Sequence, residues 1–168
     1  NNYDKDATVL LHSDHGVDFI TQNTQRLSKE REKVPLMIKG RNCSNNDNKD
    51  VIEIRKIPEL IFNASNIKIN MDISKCDFVM TESIYPNQEY ELAVRDNKYV
   101  LFFQVPWKFI KNRTQSGYEF KASLHDVQNE LEVLENNFIY NLMLNAAKKH
   151  YSELIINLIK NEVYYNPQ

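Results

Sequence analysis

Apolar positions along the chain change their spacing twice. Ala7-Thr8-Val9-Leu10-Leu11 and Val34-Pro35-Leu36-Met37-Ile38 are short, nearly continuous apolar runs, the pattern of strands buried on both faces of a parallel sheet. Pro35 has no N–H to give to a ladder, so it belongs at the start of its strand or at an edge. Asn42 to Asp50 is polar and turn-rich, an exposed loop. Val51 to Ser65 returns to helical spacing, with Ile54, Ile57, Leu60 and Ile61 on one face and Pro58 where a helix can begin.

From Phe78 to Phe120 the spacing becomes that of antiparallel strands. Tyr90 to Arg95 and Lys98 to Phe103 flank Asp96-Asn97, a turn dipeptide suited to a hairpin. Tyr118 to Lys121 is a candidate further strand. From Ser123 to Tyr165 apolar residues step by three or four through Leu124, Val127, Leu131, Leu134, Phe138 and Leu142, then Leu154, Ile155, Leu158 and Ile159. With Ser123 and Asp126 placed as a capping box, this stretch is expected to be helical and to pack its apolar face on the rest. Homo-oligomerisation through these C-terminal helices is the lesser expectation. The reading is an α/β fold in three regions: an α/β portion over 1–75, a small antiparallel region over 76–122 and a helical segment over 123–168.

Composition narrows the function classes. Apolar residues form 42% of the chain, with eight Phe and nine Tyr, enough for a buried core and unlike a disordered chain. The 21 basic and 23 acidic residues nearly cancel, so no broad field favours nucleic acid or an anionic membrane. No apolar run approaches the roughly 18 residues of a membrane span. Cys43 and Cys76 are too few for a disulfide framework and lack metal-site spacing.

Candidate chemistry sits after the first strand, at His12-Ser13-Asp14-His15-Gly16. In open α/β sheets, ligands collect at the carboxyl ends of parallel strands. A carboxylate next to an imidazole offers an oxygen and a nitrogen to a divalent metal, and Gly16 permits a sharp turn. His12 is expected to point away from that pair, because successive strand residues face opposite ways.

The Ser-Asp-His-Gly turn, followed by Glu32-Lys33-Val34-Pro35-Leu36-Met37-Ile38-Lys39-Gly40, resembles the sulfatase-like branch of the alkaline phosphatase superfamily. Asp50 to Glu53 through Ile57-Pro58-Glu59-Leu60 is similar to the helix that follows in sulfatases. Thr81 to Pro86, Tyr90, Ala93-Val94-Arg95 and Lys98-Tyr99 are similar to their C-terminal antiparallel hairpin. The similarity covers roughly residues 7 to 105.

The resemblance implies a C-terminal part of a metal-dependent hydrolase or transferase acting on anionic phosphate or sulfate esters, in an extracytoplasmic setting. Asp14 and His15 become metal ligands, with zinc or manganese favoured and calcium open. Arg26 and Lys39 become candidates for contact with the substrate anion. The nucleophile of the family lies on an earlier strand and helix, so this chain alone is expected to be inactive. Sulfatases often carry a substrate-contacting His on the strand matching Lys98 to Phe103, and this chain has none there; phosphate esters therefore stay open beside sulfate esters. The alternative class is a non-catalytic module that binds a partner through its helices.

Overall fold

The computed structural model describes residues 7–13, 27, 34–43, 52, 54–68, 78–128, 131–133 and 136–161. It is α/β and divides into two compact units, one of Asn1–Asn23 with Ser28–Asp77, the other of Thr24–Leu27 with Phe78–Gln168.

In the first unit β1 (Val9–His12) pairs with β2 (Leu36–Lys39), as expected of strands in one sheet, but the pairing is antiparallel. Val9, Leu11 and Met37 are each more than half exposed, while Leu10, His12, Leu36 and Ile38 on the other face are half-buried. The expectation of parallel strands covered on both faces is thereby corrected. A run of four or five apolar residues carries no period of its own and fits either arrangement; an antiparallel pair needs only one covered face. Pro35 stands just before the first residue of β2, where its missing N–H costs nothing.

The expected helix begins with a 3-10 turn, Ile54–Lys56, and continues as α1 (Ile57–Ala64). Pro58 lies in the first turn and Glu59 complements the positive end of the helix dipole. Past its end, Asn66 takes a positive φ of 59°, a conformation that Asn accepts more readily than most residues. The end of α1 meets the end of β2 at Gly40, where a Cβ would lie 2.4 Å from the Ala64 carbonyl oxygen. Only glycine fits that approach. Ser65 Oγ, 2.8 Å from the Thr8 hydroxyl, ties the same helix end to the residue before β1.

In the second unit β3 (Val79–Ser83), β4 (Tyr90–Arg95), β5 (Tyr99–Val105) and β6 (Lys121–Asp126) form an antiparallel sheet in chain order. The β4–β5 hairpin turns where the sequence indicates. The Asp96 carboxylate accepts hydrogen bonds from the N–H groups of Lys98 (2.7 Å) and Tyr99 (2.6 Å), a side chain imitating a backbone turn. A short helix, α2 (Trp107–Lys111), links β5 toward β6.

The helical expectation fails at its start. Ser123 to Asp126 belong to β6, and the long helix α3 runs Asn137–Lys160. The three-and-four spacing of Leu124, Val127 and Leu131 is coincidental. Leu124 is buried opposite Leu101 of β5, and the Ser123 hydroxyl bonds His125 instead of capping a helix. Pairing with a formed hairpin outweighs weak helix preference in a stretch containing Ser, His and Asp. Leu131 to Val133 then line the outer side of β6, through Asp126 N–H to Leu131 O at 3.0 Å and Val133 N–H to Leu124 O at 2.7 Å. The true N-cap is Asn136, whose side chain accepts from the Ile139 N–H.

α3 buries Met143, Leu144, Ala147, Tyr151, Ile155 and Leu158 against one face of the sheet. That face presents Tyr90, Leu92, Val94, Leu101, Phe103, Val105 and Leu124. Ala147 lets the helix come close. A smaller cluster of Leu27, Ala93 and Val100, with Phe102 and Val127 against it, occupies the other face. β6 crosses the expected boundary between 122 and 123, and α3 shares its core with the sheet, so antiparallel region and helix form one unit. Among the described residues, no helix is long and apolar enough to cross a membrane.

Candidate functional site

β1 ends at His12, with half-buried Ser13 next. Asp14, His15 and Gly16 follow directly in the chain but lie outside the described residues, as does Arg26. His12 is half-buried, with Nδ1 3.4 Å from the Pro35 carbonyl oxygen. That contact joins the last residue of β1 to the Val-Pro segment leading into β2 at one end of the sheet.

Lys39 stands at the other end. The register sets it opposite Val9 and sets His12 opposite Leu36, which separates Lys39 from His12 by about 10 Å along the strands. In a parallel pair both carboxyl ends would have met; the antiparallel register sets the end of β2 opposite the start of β1. Among the described residues, no three or more His, Cys, Asp or Glu side chains stand together as a metal site. Cys43 is an exposed free thiol just after β2.

Sequence reasoning missed a polar group in the second unit. Glu82 of β3 shares the helix-facing side of the sheet with its cross-strand neighbour Leu92. Its Oε2 lies 3.1 Å from His150 Nε2 on α3 and accepts a hydrogen bond of 3.1 Å from the buried Tyr90 hydroxyl of β4. The His150 hydrogen bond, its charge and the Tyr90 hydroxyl together hold the Glu82 carboxyl below its ordinary range, against the opposing effect of burial. Burial, followed by the neighbouring carboxylate, pushes the Tyr90 phenol far up, so it remains a hydrogen-bond donor. Tyr151, whose hydroxyl donates to the Thr114 carbonyl at 3.2 Å, is raised by burial.

A carboxylate bonded to one imidazole nitrogen orients the ring, an arrangement found in catalytic sites and in structural latches alike. Here the group joins two strands to the long helix, as a latch does. The three residues come from three elements and close the seam between α3 and the strand β3. No short spacing in the sequence could reveal the group, because His150 follows Glu82 by 68 residues.

The latch has a pH signature. Glu82 has its folded pKa depressed from 4.5, so its contribution is fully present above the unfolded value and disappears as pH falls through the folded one. Its side chain is 39% exposed, and solvent screening reduces the contribution to about 1 kcal/mol. Glu82→Gln should therefore lower stability at pH 7 by about that much, while the variant and the original chain converge as the pH drops below 4.5. Urea unfolding at a series of pH values checks this; a constant difference down to acid would show that the carboxylate's charge is irrelevant.

A second polar group lies on the other face of the sheet. His125 Nε2 is 2.8 Å from Ser123 Oγ, its ring meets Phe102 edge-on at 5.3 Å, and the buried Arg95 guanidinium lies 5.8 Å from the centre of the same Phe102 ring. These contacts carry a cation over an aromatic face within the fold. No family model matches the chain, and neither a curated protein nor a solved structure matches it.

Proposed function

We propose that this chain is the part of a metal-dependent hydrolase or transferase, acting on phosphate or sulfate esters, that carries the Asp-His metal-binding turn and the antiparallel region following it. The observation that carries the reading is the end of β1. The strand stops at His12, bonded to the Pro35 carbonyl, so the strand that precedes the Ser-Asp-His-Gly motif in the chain ends beside the residue that leads into β2. The later order of helix and antiparallel hairpin, α1 followed by β4 and β5, is the order that the sulfatase-like resemblance implies.

In this reading Asp14 and His15 hold a divalent cation. A mixed oxygen and nitrogen pair suits zinc or manganese better than magnesium, with calcium a further option. Once bound, the cation polarises the ester oxygen and eases attack by a nucleophile supplied from elsewhere in the enzyme. Arg26 and Lys39, the latter at the end of β2, are candidates for contact with the substrate anion.

The test is metal removal from the whole protein that carries this chain. Turnover of an aryl phosphate or aryl sulfate should fall on dialysis against a chelator and return with zinc or manganese. Turnover indifferent to chelation would sink the reading. The second reading, a partner-binding module without catalysis, is favoured by the apolar residues that α3 turns outward.

A further inference from the structure

The chain carries three Asn-x-Ser/Thr triplets, at Asn42, Asn63 and Asn112. Such a triplet is the acceptor for an N-linked glycan, a bulky group that the folded chain has to keep in solvent. A chain already folded must also offer the Asn amide and the hydroxyl two residues later together. The structure sorts the three on these grounds. Asn42 is exposed, but its Nδ2 donates to Asn66 Oδ1 at 2.9 Å and to the Asn63 carbonyl at 3.4 Å. The nitrogen that would receive a sugar already ties the residues after β2 to the end of α1. Asn63 stands inside α1, where residues two apart point to different sides. The Ser65 hydroxyl is bonded to Thr8 Oγ1 and to the Ile61 carbonyl, each at 2.8 Å.

Asn112 differs on each count. It is exposed and ends α2, its backbone N–H closing on the Lys108 carbonyl at 3.1 Å. Arg113 then takes a φ of 52°, in the left-handed region, so the chain leaves helical spacing between the Asn and the Thr. Gln115, Ser116 and Gly117 beyond them are exposed as well. The turn is nonetheless held. The Thr114 N–H donates to the Phe109 carbonyl at 2.9 Å, and the Thr114 carbonyl accepts from the Tyr151 hydroxyl at 3.2 Å. These bonds use the backbone of Thr114. Among the described residues, neither the Asn112 side-chain amide nor the Thr114 hydroxyl is engaged in a hydrogen bond. We infer that Asn112 is an N-glycan attachment site, with a lipid-linked oligosaccharide as donor. Asn112 Nδ2 attacks the anomeric carbon of the first sugar and an N–C bond forms. The C–O bond to the lipid pyrophosphate breaks, the pyrophosphate leaves with the electron pair, and the amide gives up one proton to the transferase. The inference rests on the ester-cleaving reading only for the extracytoplasmic setting in which such transfer takes place.

Protein purified from its source organism tests it, with no need to measure turnover. Chymotrypsin frees the stretch between Phe109 and Tyr118, which contains the whole triplet. An amidase that removes N-glycans turns each glycosylated Asn into Asp. Mass spectrometry should find Asp at 112 only after the amidase, and Asn at 42 and 63 throughout. Thr114→Ser keeps the hydroxyl and should keep the glycan. Thr114→Val keeps the shape of the side chain and should abolish the glycan, with circular dichroism unchanged. Asn at 112 after the amidase overturns the inference. So does a glycan at Asn42 or Asn63 in its place, or one that survives Thr114→Val. A glycan at Asn112 of a protein whose turnover ignores chelation upholds the inference and sinks the metal reading alone.

Discussion

Exchanging His15 for Ala in the whole protein is expected to cost both bound metal and turnover, the latter by more than about a hundredfold. Changes to residues that only support a metal ligand already cost about 10- to 100-fold, and His15 is proposed as a ligand itself. Asp14→Asn keeps the size of the side chain and removes its charge, so it isolates the electrostatic share of binding. His12→Ala is the control. That imidazole is committed to the Pro35 carbonyl, so its loss should leave metal content close to normal. Elemental analysis, turnover on an aryl ester and circular dichroism together decide the matter. Wild-type occupancy and rate in both ligand variants would end the metal assignment.

The second large effect concerns the core beneath α3. Tyr151 is fully buried, and its ring lies 4.5 Å from Tyr118, 5.7 Å from Tyr90 and 6.3 Å from Phe103, centre to centre. Tyr151→Ala removes the ring and leaves a cavity in an aromatic cluster that cannot readily collapse. Such changes cost about 3–5 kcal/mol, a large part of the stability of an ordinary domain. Tyr151→Phe removes only the hydroxyl bonded to the Thr114 carbonyl and should cost about 1 kcal/mol. Trp107, the single tryptophan, lies in the same unit, so its fluorescence during urea unfolding reports the relevant transition. A loss below about 1 kcal/mol for Tyr151→Ala would mean that α3 is not anchored through this face.

How much was legible differs between the two units for physical reasons. The β4–β5 hairpin was readable because its turn is local: Asp96 bonds the next residues but one and two along the chain. α1 was readable for the same reason, with Pro58 and its apolar stripe close together in sequence. β6 was not. Its identity depends on pairing with β5, and its lone buried Leu124 fitted helical spacing equally well. The direction of β1 against β2 was likewise hidden, since a short apolar run does not encode whether its partner runs with it or against it. The Glu82–Tyr90–His150 group exists only after α3 docks on β3. For the proposed metal pair, the signal was the motif itself, and the structure adds the strand end and the Pro35 contact that precede it.

The cover of the β-sheet by α3 also bears on how the chain leaves the ribosome. The four strands follow one another in sequence and can pair as they emerge, but the face bearing Leu92, Leu101 and Phe103 has no lid until Asn137–Lys160 has been made. At ordinary elongation rates of about 5–20 residues per second, that leaves seconds in which a formed sheet presents a bare apolar surface. Slower decoding between β6 and α3 lengthens this window, and with it the demand for a chaperone.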